Sequence, residues 1–261
     1  MSMKAIYLLL GLLFSSFAFS AENSVMILGD DYRHTLVKEL EGATFVTHGK
    51  NDSLIQQVKQ AFNQDSIILV INMADGPTQN LRESILIARQ SGHNSVQVYY
   101  HGKHLPKEML NDDDFKKLMT LVVKEVNELL DLYEIQITGA YYDWERDFPE
   151  KFQLQKNIMA KFSPEPNTLM TEIHSYAYVF TKEEASDNTI ITDGTVLAFA
   201  CQDVIGNATV RSQDPIKRGG NYSHIVLELE KPTLIPLHAR CLGTLNNTLA
   251  MAFITVLENE K

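Results

Sequence analysis

Two histidines at H-x-x-H spacing, His101 and His104, are the residues of this chain that come nearest to a metal-binding pair. Imidazole nitrogens bind zinc, but a stable site needs a third or fourth ligand from the protein. The nearest carboxylates, Asp112–Asp114, are better explained as negative charge at the positive end of a helix. The chain also contains no G-x-S-x-G, H-E-x-x-H or C-x-x-C motif. We therefore predict no catalytic residues and no metal site.

The two cysteines, Cys201 and Cys241, both lie in the C-terminal half of the chain. In an oxidising compartment they could form a disulfide, and otherwise they would be two isolated buried thiols. The pattern leaves both alternatives open.

The N-terminus has the layout of a secretory signal peptide. Within Met1–Ala21, one positive residue, Lys4, precedes the apolar run Ala5–Phe14, and small residues follow near the expected cleavage point. The apolar run is short for a membrane span, and no later segment approaches the roughly 20 apolar residues that a span needs. We expect a mature protein in the periplasm or outside the cell, and the alternative is an uncleaved N-terminal anchor.

The formal net charge of −10 disfavours nucleic acid as a partner. Proteins that bind nucleic acids carry clustered basic residues that neutralise phosphates, whereas here acidic residues are spread along the chain. We expect a protein partner, whose identity the sequence does not give, and the sequence does not give the oligomeric state either.

Two architectures follow each other along the chain. Up to about Lys161, short apolar strands alternate with helical stretches, which predicts an α/β domain with a covered parallel sheet. Within it, Asp143–Asp147 is interpreted as a charged helix start. From about Thr168 the pattern changes to strands divided by turns rich in Asp, Asn and Gly, which predicts an antiparallel β-barrel. The predicted ranges are 1–21 for the signal peptide, 22–162 for the α/β domain, 163–167 for a linker and 168–261 for the barrel.

One strand-turn-helix segment carries an unusually specific set of turn and helix residues. It reads IILVINMADGPTQNLRESILIARQSG from Ile67 to Gly92, and it resembles the A-x-D-G-P turn and Q-x-R-E helix of elongation factor Tu. The likeness continues in a later helix and in a barrel strand that reads F-x-x-x-D-V-x-G. The matching residues are Ala74, Asp75, Gly76, Pro77, Gln79, Arg82, Glu83, Glu125, Val126, Glu128, Leu129, Leu130, Tyr133, Phe199, Asp203, Val204 and Gly206.

This resemblance implies a truncated P-loop GTPase-like α/β domain joined directly to a barrel like the last domain of elongation factor Tu, with the middle barrel absent. It also places Cys201 and Cys241 on strands of one small barrel. A bridge is then possible if their Cα atoms come within about 4.4–6.8 Å. If strand alternation points the two side chains to opposite faces, they remain thiols.

The family's nucleotide-binding motifs are degenerate in this chain. A phosphate loop needs glycines and a lysine, but here only Gly29 follows the first strand, and Asp30 and Asp31 place negative charge where phosphates would lie. The position that reads guanine in the family is occupied by His101, Gly102 and Lys103, without the usual aspartate. The family's magnesium and switch segments are not recognisable either, so we predict no cofactor.

Two hypotheses remain. The first is an exported, non-catalytic relative of elongation factor Tu that acts as a protein-binding module. The alternative is a residual nucleotide-binding protein, or a GTPase-derived enzyme with a rebuilt site near His48, His101 and His104.

Overall fold

The computed structural model describes residues 23–41, 43–49, 51–144, 167–185, 190–212, 216, 218–219 and 222–257. The predicted signal peptide, most of the predicted linker and the residues Glu145–Asp147 lie outside this part of the chain. No helix within it is long and apolar enough to cross a membrane.

The N-terminal part is a five-stranded parallel sheet. Its strands are β1 Ser24–Gly29, β2 Thr44–Thr47, β3 Ser66–Asn72, β4 Ser95–His101 and β5 Gln136–Tyr142, in the order β2-β1-β3-β4-β5. The strands in the middle of the sheet, β1, β3 and β4, are almost completely buried, which is why they are mostly apolar. The connecting helices are α1 Arg33–Glu39, α2 Leu54–Phe62, α3 Gln79–Gln90, α4 Lys107–Asn111 and α5 Asp113–Leu132.

The three longest helices, α2, α3 and α5, begin where a side chain accepts hydrogen bonds from the first backbone donors. Ser53 accepts a hydrogen bond from the amide of Gln56, whose side chain accepts one from the Ser53 amide in return. Asp112 accepts hydrogen bonds from the amides of Asp114 and Phe115 at the start of α5. The acidic run at this position is therefore a helix start, as the sequence predicts.

The C-terminal part is a closed antiparallel barrel of six strands in the order β10-β11-β6-β9-β8-β7. Its strands are β6 Asn167–Val179, β7 Val196–Cys201, β8 Val204–Arg211, β9 Ser223–Pro236, β10 Arg240–Leu245 and β11 Thr248–Val256, with a short helix α6 at Lys182–Ala185. The predicted fold class, an α/β domain followed by an antiparallel barrel, is confirmed. The first barrel strand already begins at Asn167, the last residue of the predicted linker.

Cys201 and Cys241 are joined by a disulfide, and their Cα atoms lie 4.4 Å apart. They are directly opposite residues of the neighbouring strands β7 and β10, and both are buried in the barrel core. The two side chains therefore point to the same side of the barrel wall.

The two parts share one apolar core. Residues of α2 and α3 belong to the same buried cluster as Ala200 on β7 and Leu242 on β10. The barrel thus packs against one helical layer of the α/β domain without an intervening domain.

Candidate functional site

The carboxyl ends of β1, β3, β4 and β5 form the edge at which a parallel α/β sheet usually binds its ligand. The chain runs outward from β1 to β2 and then returns across β1 to β3, so the strand order reverses between β1 and β3. The loops that follow β1, β3 and β4 meet there. This edge is the candidate site, and the degenerate motif residues all lie on it.

The loop after β1 is closed by its own hydrogen bonds. Most of its amides donate to other groups of the protein: Asp30 donates to Val70 O, Tyr32 to Asp30 Oδ1 and His34 to Asp31 O. The Arg33 amide donates to Asp30 O in the same way. A phosphate site needs such amides to point at the ligand, and here they point at the chain.

Gly29 is required by the close approach of this loop to β3. Its φ is +99°, and an added Cβ would lie 2.2 Å from the carbonyl oxygen of Val70. Its own carbonyl accepts hydrogen bonds from the Asn80 side chain at 3.0 Å and from the Arg33 guanidinium at 2.8 Å. The glycine is thus explained by packing rather than by a bound phosphate.

Arg33 is the cation of this loop, and it faces inward. The residue is 4% exposed, and its Nη1 atom also lies 2.7 Å from Asp31 Oδ1. The carboxylate of Asp31 is largely exposed and reaches back over the guanidinium. Because this positive charge is already engaged by a carboxylate and a carbonyl, it does not replace the missing phosphate-binding lysine.

The A-D-G-P turn after β3 is organised by Asn72. Its side-chain oxygen accepts from the Ala74 amide at 3.0 Å, and its nitrogen donates to Asp75 Oδ2 at 2.8 Å. The Asn72 carbonyl accepts from the amide of Gly76, which has a φ of +66°. The turn is self-contained and directs the chain into α3, where Thr78 caps the helix.

Asp143, at the end of β5, holds the loop after β4. Its Oδ2 atom lies 2.5 Å from His101 Nδ1, and its Oδ1 atom accepts from the amides of Gly102 at 2.7 Å and Lys103 at 2.8 Å. The Asp143 side chain is only 3% exposed. A carboxylate therefore does lie at the predicted base-reading position, but the protein itself occupies both of its oxygens.

Tyr32 lies flat on His101 and links the loops after β1 and β4. The ring centroids are 3.6 Å apart with an angle of 6° between the planes, which is direct contact. Burial and a hydrogen bond to Glu39 raise the pKa of the Tyr32 hydroxyl to about 12, so the ring stays neutral. A planar base cannot enter between two rings at this separation.

Trp144 fills the adjoining space. An added Cβ on Gly102 would lie 2.5 Å from Trp144 Cε3, so the indole ring packs directly on the glycine backbone. Asp143 and Trp144 form a turn, and the other residues of the segment interpreted as a charged helix start, Glu145–Asp147, lie outside the described residues.

The structure brings all six degenerate-motif residues to one edge of the sheet. Tyr32 links the loop of Gly29–Asp31 to the loop of His101–Lys103, because its amide donates to Asp30 and its ring stacks on His101. Sequence reasoning missed Tyr32 and Arg33, and it missed the role of Asp143. Their positions were the only sequence signal: Tyr32 and Arg33 directly follow Asp31, and Asp143 directly follows a strand.

The third candidate histidine is separate from this cluster. His48 is buried beyond β2 and contacts Gly49 O through Nδ1. Burial lowers its pKa from the ordinary value of 6.5. His101 and His104 do lie together, with centroids 4.7 Å apart. Nowhere in the described residues do three or more potential ligands form a group that could hold a metal ion.

Among the described residues, this edge contains a His–Asp pair, His101 with Asp143. Asp143 orients His101 as the aspartate orients the base in a catalytic dyad. The contacts that the structure records for His101 are with Asp143, Tyr32 and His104, none of which is an activated nucleophile. A nucleotide and its metal ion do not fit the residues present, because amides, carboxylate and stacking face are already engaged.

No family model matches the chain. Among solved structures it is similar to translation elongation factor SelB from Methanococcus maripaludis in its apo form, with a TM-score of 0.54 and 10% sequence identity. The match covers 90% of this chain and 79% of that chain. At this identity the likeness shows the fold alone, which is an elongation-factor-like pairing of a parallel α/β domain with a β-barrel.

Proposed function

We propose that this chain is a GTPase-derived protein that no longer binds nucleotide and acts as a protein-interaction module. The observation that carries the proposal is the self-occupied sheet edge. Asp143 uses both carboxylate oxygens on the loop after β4, and Tyr32 covers the ring of His101. Opening this edge would break several buried polar contacts before any ligand contact formed.

Electrostatics supports the same conclusion. Asp30 and Asp31 place two carboxylates where a phosphate would approach, and the nearby guanidinium of Arg33 is buried and already paired. The guanidinium of Arg33 is therefore not available to compensate the charge of a polyphosphate. A protein partner needs no such compensation.

The outer face of α5 provides apolar surface that a partner could cover. Leu118, Leu121 and Leu132 are 51%, 54% and 70% exposed. Spacings of 3 and 11 residues put these side chains on one face of a helix. Several exposed leucines on one face are more than the single apolar residues found on any protein surface.

The His101–Asp143 pair favours a second candidate, an enzyme that uses His101 as a general base. This candidate needs a nucleophile or an activated water supplied with the substrate. It predicts that His101→Gln abolishes an activity, whereas the interaction module has no activity to lose.

A titration with fluorescent GDP and fluorescent ATP, with and without Mg²⁺, tests the loss of nucleotide binding. We expect no saturable signal at micromolar protein. Binding with a micromolar Kd that unlabelled nucleotide competes away would overturn the proposal.

Crosslinking followed by capture of the tagged mature chain from its native compartment tests the interaction role. The double variant Leu118→Lys and Leu121→Lys should lose a captured protein. The control is the double variant Thr120→Lys and Asn127→Lys, which adds the same charge at exposed polar positions of α5.

Export remains a prediction of the N-terminal sequence, and N-terminal sequencing of the purified protein checks it. A mature start near Ala21 or Glu22 is expected, and Met1 on a cytosolic protein would contradict it.

A further inference from the structure

Strand β10 attaches the barrel to the α/β domain along its whole length. At its start, Arg240 Nη1 donates to Asn94 Oδ1 at 2.9 Å. In its middle, Leu242 lies in the core shared with α2 and α3. At the turn that follows it, Asn247 Oδ1 accepts from the Leu54 amide at 3.0 Å, at the first residue of α2.

The disulfide lies on the opposite face of the same strand pair. Cys241 is paired with Cys201 in the antiparallel register of β10 and β7, and Leu242 is paired with Ala200. Because side chains alternate along a strand, the cysteines enter the barrel core while Leu242 and Ala200 face the α/β domain. The bridge therefore crosslinks the two strands directly behind the docking surface.

We infer that the Cys201–Cys241 disulfide is a redox-sensitive lock on the docking of the barrel against the α/β domain. Reduction adds two electrons and two protons to the bond and yields two thiols, while a dithiol reductant is converted to its own disulfide. Two thiols need more room than a bonded pair, because non-bonded sulfur atoms stay at van der Waals separation. In a close-packed core the strands that carry them must shift.

A shift of β7 against β10 acts on the docking contacts before it acts on the rest of the barrel. Leu242 and Ala200 are each one residue away from a cysteine, and the polar contacts of Arg240 and Asn247 lie on the same strand or its turn. The Arg240 side chain is only partly exposed at this contact. The docked form is accordingly favoured in an oxidising compartment, whether or not nucleotide binding has been lost.

Both cysteines are 0% exposed, so a reductant reaches the bond only when the barrel opens. The test therefore compares the oxidised wild-type chain with the double variant Cys201→Ala and Cys241→Val, which needs no reductant. Amide hydrogen exchange of Leu54 is the readout, because this amide donates across the interface.

We expect Leu54 exchange to become about tenfold faster or more in the double variant. Amides of the β6–β9 ladder, which lies opposite the β7–β10 pair in the closed barrel, should change much less, for example that of Ile225. Unchanged exchange at Leu54 would overturn the inference. An equal acceleration at Leu54 and Ile225 would also overturn it, because the bridge would then stabilise the barrel as a whole.

A second comparison separates docking from general stability and uses two fully buried leucines. Leu242→Ala removes a side chain at the interface, whereas Leu227→Ala removes one inside the barrel core. The effect of bridge loss on Leu54 exchange should be largely absent in the Leu242→Ala background and undiminished in the Leu227→Ala background. Equal effects in both backgrounds would contradict the lock.

If the double cysteine variant does not fold, reduced wild-type protein replaces it. The wild-type chain is reduced with dithiothreitol in dilute urea and then returned to anaerobic buffer.

Discussion

Replacement of Asp143 is the most informative perturbation of the sheet edge. Asp143→Ala removes the acceptor for His101 Nδ1 and for the amides of Gly102 and Lys103. The exposed Lys103 amide can bind water instead, but Gly102 is buried and its amide is left without an acceptor. Hydrogen bonds to a charged group contribute about 1.5–3 kcal/mol each, and an unsatisfied buried amide costs about 1–3 kcal/mol. We therefore expect Asp143→Ala to lower the free energy of unfolding by about 3–5 kcal/mol.

Asp143→Asn is the matched variant. Its amide oxygen can still accept from Gly102 and Lys103, and its NH₂ group can donate to His101 Nδ1 once the imidazole proton moves to Nε2. Only the charge is lost, and we expect the free energy of unfolding to fall by about 1–2 kcal/mol.

The assay is urea unfolding followed by the fluorescence of Trp144, the single tryptophan of the chain, which packs on Gly102. A free energy of unfolding for Asp143→Ala within about 1 kcal/mol of wild type would refute the reasoning. An Asn variant as unstable as the Ala variant would refute the claim that the acceptor geometry matters more than the charge.

Three further predictions concern stability. Gly29→Ala should lower the free energy of unfolding by about 2 kcal/mol or more, because the added Cβ meets Val70 O at a positive φ; a melting temperature equal to that of wild type would contradict it. Burial lowers the pKa of His48 below 6.5, so its neutral form stabilises the fold above that pH and this stabilisation is lost as the pH falls through the lowered value. His48→Asn should flatten that decline in unfolding measured from pH 7 to pH 5, and an unchanged slope would argue against it. Burial raises the pKa of Glu83 above 4.5, so its carboxylate opposes folding at neutral pH. Glu83→Gln should therefore raise the free energy of unfolding at pH 7, and this gain should vanish below about pH 4.5. A lower free energy of unfolding at pH 7 would contradict this.

Local patterns account for most of the fold. Ser53 and Asp112 have the side chains that cap a helix, and both do so. The short connection after β1 leaves room only for α1 before β2, which predicts neighbouring parallel strands. The five central residues of strand β3, Ile67–Ile71, are all apolar because both faces of the sheet are covered.

The candidate site could be predicted only in part. The resemblance located the loops, but Asp143 is 42 residues from His101, and no local pattern joins an aspartate after one strand to a loop after another. The burial of Arg33 could not be predicted from the pattern either. Arginine is rarely buried unless it is paired, and the sequence does not show which groups pair with it. Strand register decided between a disulfide and two thiols, and register depends on barrel closure rather than on the residues near each cysteine.

The central claim is that the chain's own groups occupy the nucleotide edge. It is tested most directly by amide NMR spectra recorded while GDP and Mg²⁺ are added to millimolar concentration. The amides of Asp30, Tyr32, Gly102 and Lys103 should not shift. Saturable shifts confined to these amides, with loss of the Tyr32–His101 ring contact, would contradict it.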